Sequence, residues 1–442
     1  MRLHIPVALL ALGVSMEASA LDLREAVDQA LGRNPELVGQ RHEVASAREN
    51  ITLSAARLKP NLRLNLARSH NETQRTLLSP LRSLDDEPYA SQRDALQLVQ
   101  PLLRVPEFYG VRLARARARA GEQALASQEQ LLIARVAQAY FELLVAGERD
   151  RLTSTRLQLA RTVLAAAQAG LQGGAASRSD VEDARARVDA ALAEQVETAA
   201  TRDMAAQGLL ALLGPEASLP DMIAALGDED LPDDPAWPAT AAGWLTLAER
   251  GNGDLAAYAE AVVAAEAGLN QARAARLPSI DLVANRSLSS SDSESSIGYR
   301  YDSRSVGLQL SYTVYAGGAI GAQVRQARAA RGKAVADRDL AESRLRQQVT
   351  EEFARFQAAG ARTRALRTAV ESATQAVQGN EKGLQAGTRN VIDLLDAQSR
   401  LADARLSLFQ ARVARMVAAL RLQALAGQLD LPAVDDVNAL LK

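Results

Sequence analysis

The stretch NLRLNLARS (61–69) alternates strictly, with Leu62, Leu64 and Leu66 on one side and Asn61, Arg63 and Asn65 on the other. A period of two is the mark of a strand with one apolar face. Three more segments share it. Leu96 and Leu98 flank Gln97 in a strand expected at about 93–101. Ile280, Leu282 and Ala284 oppose Asp281 and Asn285 in one expected at about 279–288. Val306, Leu308, Leu310 and Tyr312 oppose Gly307, Gln309 and Ser311 in one expected at about 305–314. Polar loops, 70–92 and SSSDSESSIGYRYDS (289–303), join the strands in pairs, giving two hairpins with long polar tips.

Outside the hairpins the period changes. Residues 24–57 read as one Ala-rich helix, and no Pro interrupts 107–169 or 319–378. Small and apolar residues recur there at steps of three and four, as in Val349, Phe356, Ala359, Thr363, Leu366, Val370, Ala373 and Val377. A second seam runs through Leu394, Ala397, Leu401, Ala404, Leu408 and Ala411. These are heptad seams of long, closely packed helices. Glycines at 170, 173, 174, 383 and 387 mark a turn between two long helices, expected at about 170–176 and about 383–388.

The pattern is written twice. ALGRNPELVGQ (30–40) resembles AERGNGDLAAY (248–258) at an offset of 218, and RLKPNLRLNLARS (57–69) resembles ARLPSIDLVANRS (275–287) at the same offset. ALQLVQPLL (95–103) pairs with GLQLSYTVY (307–315), and GLQGGAASRSDVEDA (170–184) with GLQAGTRNVIDLLDA (383–397) at 213. Four matches in one order indicate duplication. The division that follows is a first repeat at 21–213, a Pro- and Asp-rich linker at 214–240 lying on the outside, a second repeat at 241–428 and a tail at 429–442.

Bulk composition excludes several classes. The chain has no Cys and three His, so thiol chemistry, disulfides and His-based metal centres are not expected, nor is any cofactor. A net charge of −2 offers nothing global to nucleic acid. The start, MRLHIPVALLALGVSMEASA (1–20), has a basic end, a short apolar core and an Ala18-Ser19-Ala20 cleavage site, the form of an export signal. No later run approaches the roughly 20 apolar residues of a spanning helix. Membrane entry then requires a β-barrel, since open sheet edges cannot sit in lipid. Four strands cannot close one, whereas three chains supply 12.

At this point the residues resemble the TolC family of outer-membrane efflux and type I secretion channels. The resemblance rests on the duplicated order of helix, hairpin and long helix pair, with NPEL (34–37), YAGG (315–318) and GTRNVIDLLDAQ (387–398), and covers 21–430. It implies a mostly α fold with a small β portion: a homotrimer whose 12-stranded barrel, set in outer-membrane lipid, continues into a periplasmic α-helical barrel about 100 Å long. It further implies a periplasmic adaptor and an inner-membrane ABC or RND-type pump as partners, with no enzymatic role.

The resemblance also assigns residues. Asp393 and Asp396 become the pore constriction, six carboxylates around one axis in a trimer, a ring that selects cations. Arg389 and Asp180 match a gate latch. Asp183 stands beside it where the family's best-known member has an amide, and Leu384 replaces that member's latch tyrosine. Gly174, Ala175, Gly387 and Thr388 would form the tip that meets the adaptor. On spacing alone, acids three apart at a helix start read as a solvated face favoured by the helix dipole, and the glycines read as chain turns. Two rival classes are a soluble periplasmic coiled-coil scaffold and an enzyme. No nucleophile–base arrangement or Gly-rich phosphate loop supports the enzyme, and the paired carboxylates lie in heptad helices, not a cleft.

Overall fold

The computed structural model describes residues 21–72, 88–174, 176–215, 217–219, 223–227, 229–232, 237–292, 298–386, 388–389 and 391–441. The expected export signal, and Ala175 and Gly387 of the tips, lie outside the described residues. In chain order the elements are α1 (Leu23–Arg33), α2 (Pro35–Ala56), β1 (Asn61–Asn71), β2 (Tyr89–Leu103), α3 (Val105–Gln172) and α4 (Arg178–Leu213). The order then repeats: α5 (Ala241–Gly251), α6 (Gly253–Ala274), β3 (Ser279–Ser291), β4 (Tyr299–Ser311), α7 (Ala319–Gln385) and α8 (Val391–Leu425), closed by α9 (Leu431–Asn438).

The chain divides into two compact units that cut across the sequence repeats, each drawing on both. One comprises Gln40–Leu125 and Gly253–Ser343 and holds the sheet. Its four strands lie in the order β1-β2-β3-β4, antiparallel throughout. Directly opposed residues share a face. Leu62, Leu98, Ala284 and Val306 form one cross-strand row, and Gln100, Leu282 and Leu308 the row beside it. The opposite face carries Arg63, Gln97, Asn285 and Ser305. Leu62, Leu64 and Leu66 are 62–65% exposed, and Val306, Leu308 and Leu310 are 66–76% exposed. Below the sheet Arg104 clasps Asp281 through two 2.8 Å hydrogen bonds, stitching the end of β2 to β3. β4 ends at Ser311, short of the expected 314, because its partner Ser279 is the first residue of β3.

The other unit comprises Met1–Gly39, Ala126–Asn252 and Arg344–Lys442. Tyr140, Phe141, Leu209, Leu213, Met416 and Leu420 are fully buried in it. The Tyr140 hydroxyl donates to the carbonyls of Leu21 (3.0 Å) and Ala224 (3.2 Å), and burial raises its pKa well above the ordinary tyrosine value.

The duplication recurs here as one repeated contact. Asn34 donates its side-chain amide to the Leu212 carbonyl at 3.0 Å, and Asn252 donates to Leu425 at 3.1 Å. Each is the C-cap of a short helix, its backbone N–H bonded to Ala30 or Ala248 at 2.9 Å. Beside each hook the backbones press together. A Cβ on Gly214 would meet the Arg33 carbonyl oxygen at 2.9 Å, and one on Gly427 would collide with the Gly251 carbonyl. Both glycines hold positive φ, 111° and 72°, so each needs Gly for conformation as well as space.

Three expectations are corrected. Residues 24–57 are not one helix: α1 stops at Asn34, whose φ −61° and ψ 121° are extended. Pro35 lacks an N–H and crowds the preceding residue out of the helical region. Asn34 then caps α2 in turn, accepting from the Leu37 N–H at 3.2 Å. The tail at 429–442 is largely α9, started by Asp430 accepting from the Ala433 N–H at 3.0 Å, with Pro in the first turn. Its Asn438 accepts from the Leu23 N–H at 3.0 Å, closing the C-terminus onto α1. The linker is not simply laid on the outside. Ile223 bridges Leu21, Leu226 bridges Leu441, and the Asp230 carboxylate is gripped by Arg367 of α7 and Arg412 of α8.

Candidate functional site: the two helix-hairpin tips

The turn between α3 and α4 and the turn between α7 and α8 are built alike. In the first, the Ala176 N–H donates to the Gly170 carbonyl at 3.2 Å. In the second, the Arg389 N–H donates to the Gly383 carbonyl at 3.2 Å. The glycine is required by proximity. A Cβ on Gly170 would lie 3.1 Å from the Ala176 Cβ, and one on Gly383 would lie 2.6 Å from the Arg389 Cγ. Gly174 turns the first tip with φ 75°. The Thr388 hydroxyl adds a 3.1 Å bond to the Gly383 carbonyl in the second.

The acids of the first tip are engaged locally. Ser177 is the N-cap of α4, and Asp180 completes a capping box. The Ser177 N–H donates to the Asp180 carboxylate at 2.7 Å, its hydroxyl donates at 2.8 Å, and the Asp180 N–H returns to the Ser177 Oγ at 3.2 Å. The backbone N–H first, then the hydroxyl, holds the Asp180 carboxyl below the usual carboxylate range. Asp183 is exposed on the next turn.

The second tip is arranged differently. Asp393 lies in the first turn of α8, half-buried, and Asp396 is exposed one turn on. The Arg389 guanidinium approaches Asp393 at 4.0 Å, the outer limit of an ion pair, with 59% of the arginine side chain exposed. Within one protomer Arg389, in the turn, therefore faces Asp393 of the helix that follows, while Asp180 Oδ2 accepts from Ser177. Leu384 is half-buried, and Thr388 is exposed.

A link that sequence reasoning missed lies further from the tips. Arg156 of α3 reaches both Glu194 of α4, at 3.6 Å, and Asp403 of α8, tying the two hairpins together. Nearby, the buried hydroxyls of Thr153 and Thr198 bond at 2.8 Å, and Arg202 pairs with Asp150 at 3.2 Å. No spacing announces Arg156, because Asp403 stands 247 residues away. Among the described residues no group of His, Cys, Asp or Glu could hold a metal ion, and no helix is long and apolar enough to cross a membrane.

Comparisons with known proteins bear on this arrangement. A family profile described as outer membrane efflux protein matches residues 26–215 and 244–428, which together are most of the chain. The alkaline protease secretion protein AprF of Pseudomonas aeruginosa is 31% identical over 417 residues, covering 94% of this chain and 86% of that one. The outer membrane protein TolC of Escherichia coli is 28% identical, covering 95% of this chain and 84% of that one. In fold the chain is similar to the Campylobacter jejuni CmeC outer membrane channel, with a TM-score of 0.76 at 16% identity, covering 99% and 98% of the two chains.

Proposed function

Because the chain belongs to the TolC family of outer membrane efflux proteins and resides in the outer membrane, we propose that it is the exit duct of a tripartite efflux or type I secretion system. It passes substrates from an inner-membrane pump and its periplasmic adaptor to the exterior without chemistry of its own. The observation that carries this reading is the sheet. Its strands run in sequential antiparallel order, an even number, with β1 and β4 at its two edges. β4 of one copy is then antiparallel to β1 of the next, so copies join without a break in the pattern, and three of them give a closed 12-stranded barrel. Leucines over 60% exposed on one sheet face have a solvent there in lipid.

The helix unit supplies the gate in this reading. Asp393 and Asp396 line the narrowest point, and Arg389, with Asp180 and Asp183 of the neighbouring helix pair, latches it. The tips around Gly174, Ala175, Gly387 and Thr388 meet the adaptor. A latch made between chains is compatible with the single-protomer partners: Arg389 is mostly exposed and only distantly paired, and both bonds from Ser177 go to Oδ2 of Asp180. AprF carries secretion in its name, which favours a protein cargo over a small molecule.

Planar-bilayer recording of the purified full chain tests the duct. Small, cation-selective currents, together with a trimeric mass after cross-linking, are expected. A water-soluble monomer without conductance would overturn the reading.

A further inference from the structure

The apolar patch on the sheet does not follow the cross-strand rows. On β1 it runs from Leu62 to Leu66 and gives way to Arg68, and on β2 it passes from Leu98 and Leu96 to Asp94. On β3 it ends at Ala284 before Arg286, and on β4 at Val306 before Arg304. Arg286 and Arg304 stand in the row of Leu64 and Leu96, whereas Arg68 lies two rows further along. The lower edge steps the same way, from Leu62 on β1 to Leu310 on β4. Two rows are about 13 Å of strand, and three strand spacings about 14 Å, so the edge slopes at about 40°. Strands of closed barrels tilt by about 35–45° to the axis. The border between apolar and charged side chains is thus level with the membrane plane once the strands are tilted.

Along that level border the charges are mostly arginine. Arg68 is braced by Asp94 at 2.5 Å, while Asp302 takes both Arg286, at 3.2 Å, and Arg304, at 3.3 Å. Arg300, two residues above Asp302 on the same face, is exposed and has no ion pair among the described residues. Four guanidinium groups face Asp94 and Asp302, with Asp292 just past the end of β3, and Leu288 is the apolar residue set among them. The aspartates offset part of the charge, and Asp94 and Asp302 fix the orientation of their arginines against the sheet. All four arginines are exposed, at the height where the bilayer's polar layer begins on the loop side. Arginine forks match phosphate oxygens in pairs, which point charges do not.

We propose that Arg68, Arg286, Arg300 and Arg304 form a phosphate-binding belt that docks phosphorylated glycolipid of the outer leaflet against the barrel wall. This rests on the shared-barrel reading above. With Asp292 just past the end of β3, four guanidinium groups stand against three carboxylates among the described residues, so each protomer keeps a positive excess of one and a trimer of three, spread around the outside and absent from the pore. The apolar columns directly below it accept the acyl chains of the same molecule.

The test uses the full chain in phosphatidylcholine vesicles with and without diphosphorylated lipid A, followed by detergent extraction and native mass spectrometry of retained lipid. The wild type is expected to retain lipid A, and the Arg68→Gln/Arg286→Gln/Arg300→Gln/Arg304→Gln variant to retain at least about tenfold less. Arg300→Gln alone, which breaks no ion pair among the described residues, should lose a measurable part and guards against a folding defect in the quadruple variant. Equal retention by all three proteins overturns the belt. So does equal retention of a dephosphorylated lipid A, or complete displacement by inorganic phosphate at matched phosphate concentration. Insertion and conductance in pure phosphatidylcholine vesicles separate the two ideas: without insertion there the barrel fails, and with insertion but equal retention only the belt fails.

Discussion

The two helix-hairpin tips share a backbone and differ in what their carboxylates do. Each closes with an N–H to the carbonyl of a glycine, at 3.2 Å in both, and each glycine is kept small by the residue six positions on. At the first tip that residue is Ala176, and the acid of the following helix turns inward to cap it. At the second it is Arg389, and the corresponding acid, Asp393, faces a guanidinium instead. Duplication set the positions, and single side-chain changes then divided the roles. The first tip is a well-capped turn, and the second presents a mostly exposed guanidinium.

The sharpest way to break this comparison is to remove the acids of one tip at a time. Replacing Asp393 and Asp396 together by Ala is expected to abolish block by multivalent cations in bilayer recordings, whereas Asp180→Ala/Asp183→Ala should keep most of it. Unchanged block in the first variant would take those two residues out of the pore. Next in size, Arg389→Ala should raise the resting conductance several-fold; equal conductance would count against the latch. A smaller change is expected from Gly383→Val, which displaces the Arg389 stem, while Gly170→Val meets only a methyl group. A larger conductance change at Gly170 than at Gly383 would reverse the assignment of roles.

The remaining two effects are local to the first tip. Ser177→Ala removes a capping hydroxyl, and about 1 kcal/mol of protection in the first turn of α4 should go with it, read as faster amide exchange at Asp180. The Asp180 carboxyl is held below its ordinary value of 3.8 by the Ser177 N–H and hydroxyl. Its contribution is therefore complete above the unfolded carboxylate's pKa and is lost only as pH falls through the lower folded one. First-turn protection in α4, the slowing relative to a free amide at the same pH, should hold in mild acid and fall in strong acid. Protection already lost near neutral pH would contradict the capping box.

The sheet was the most legible part of the chain, because alternation such as Leu62-Arg63-Leu64 has one physical reading. The long helices followed from heptad seams. The break at Asn34 was signalled by Pro35, although an Ala-rich pattern running through it masked the stop. α9 was announced by Asp430 and Pro432, an N-cap and a first-turn proline, in a segment short enough to pass for a tail. What the sequence could not disclose were contacts made at long range: Arg156 to Asp403, and Asp230 between Arg367 and Arg412. The capping of Asp180 was readable from Ser177 three residues before it.

The amide hooks of Asn34 and Asn252 reach further than local order. Each fastens the beginning of one repeat to that repeat's own end, so a half-length polypeptide already carries its own clasp. In the proposed trimer, a ring of six such halves would satisfy the same joints as three full chains. The two halves differ where the clasp does not reach: Arg389 stands at one tip where Ala176 stands at the other.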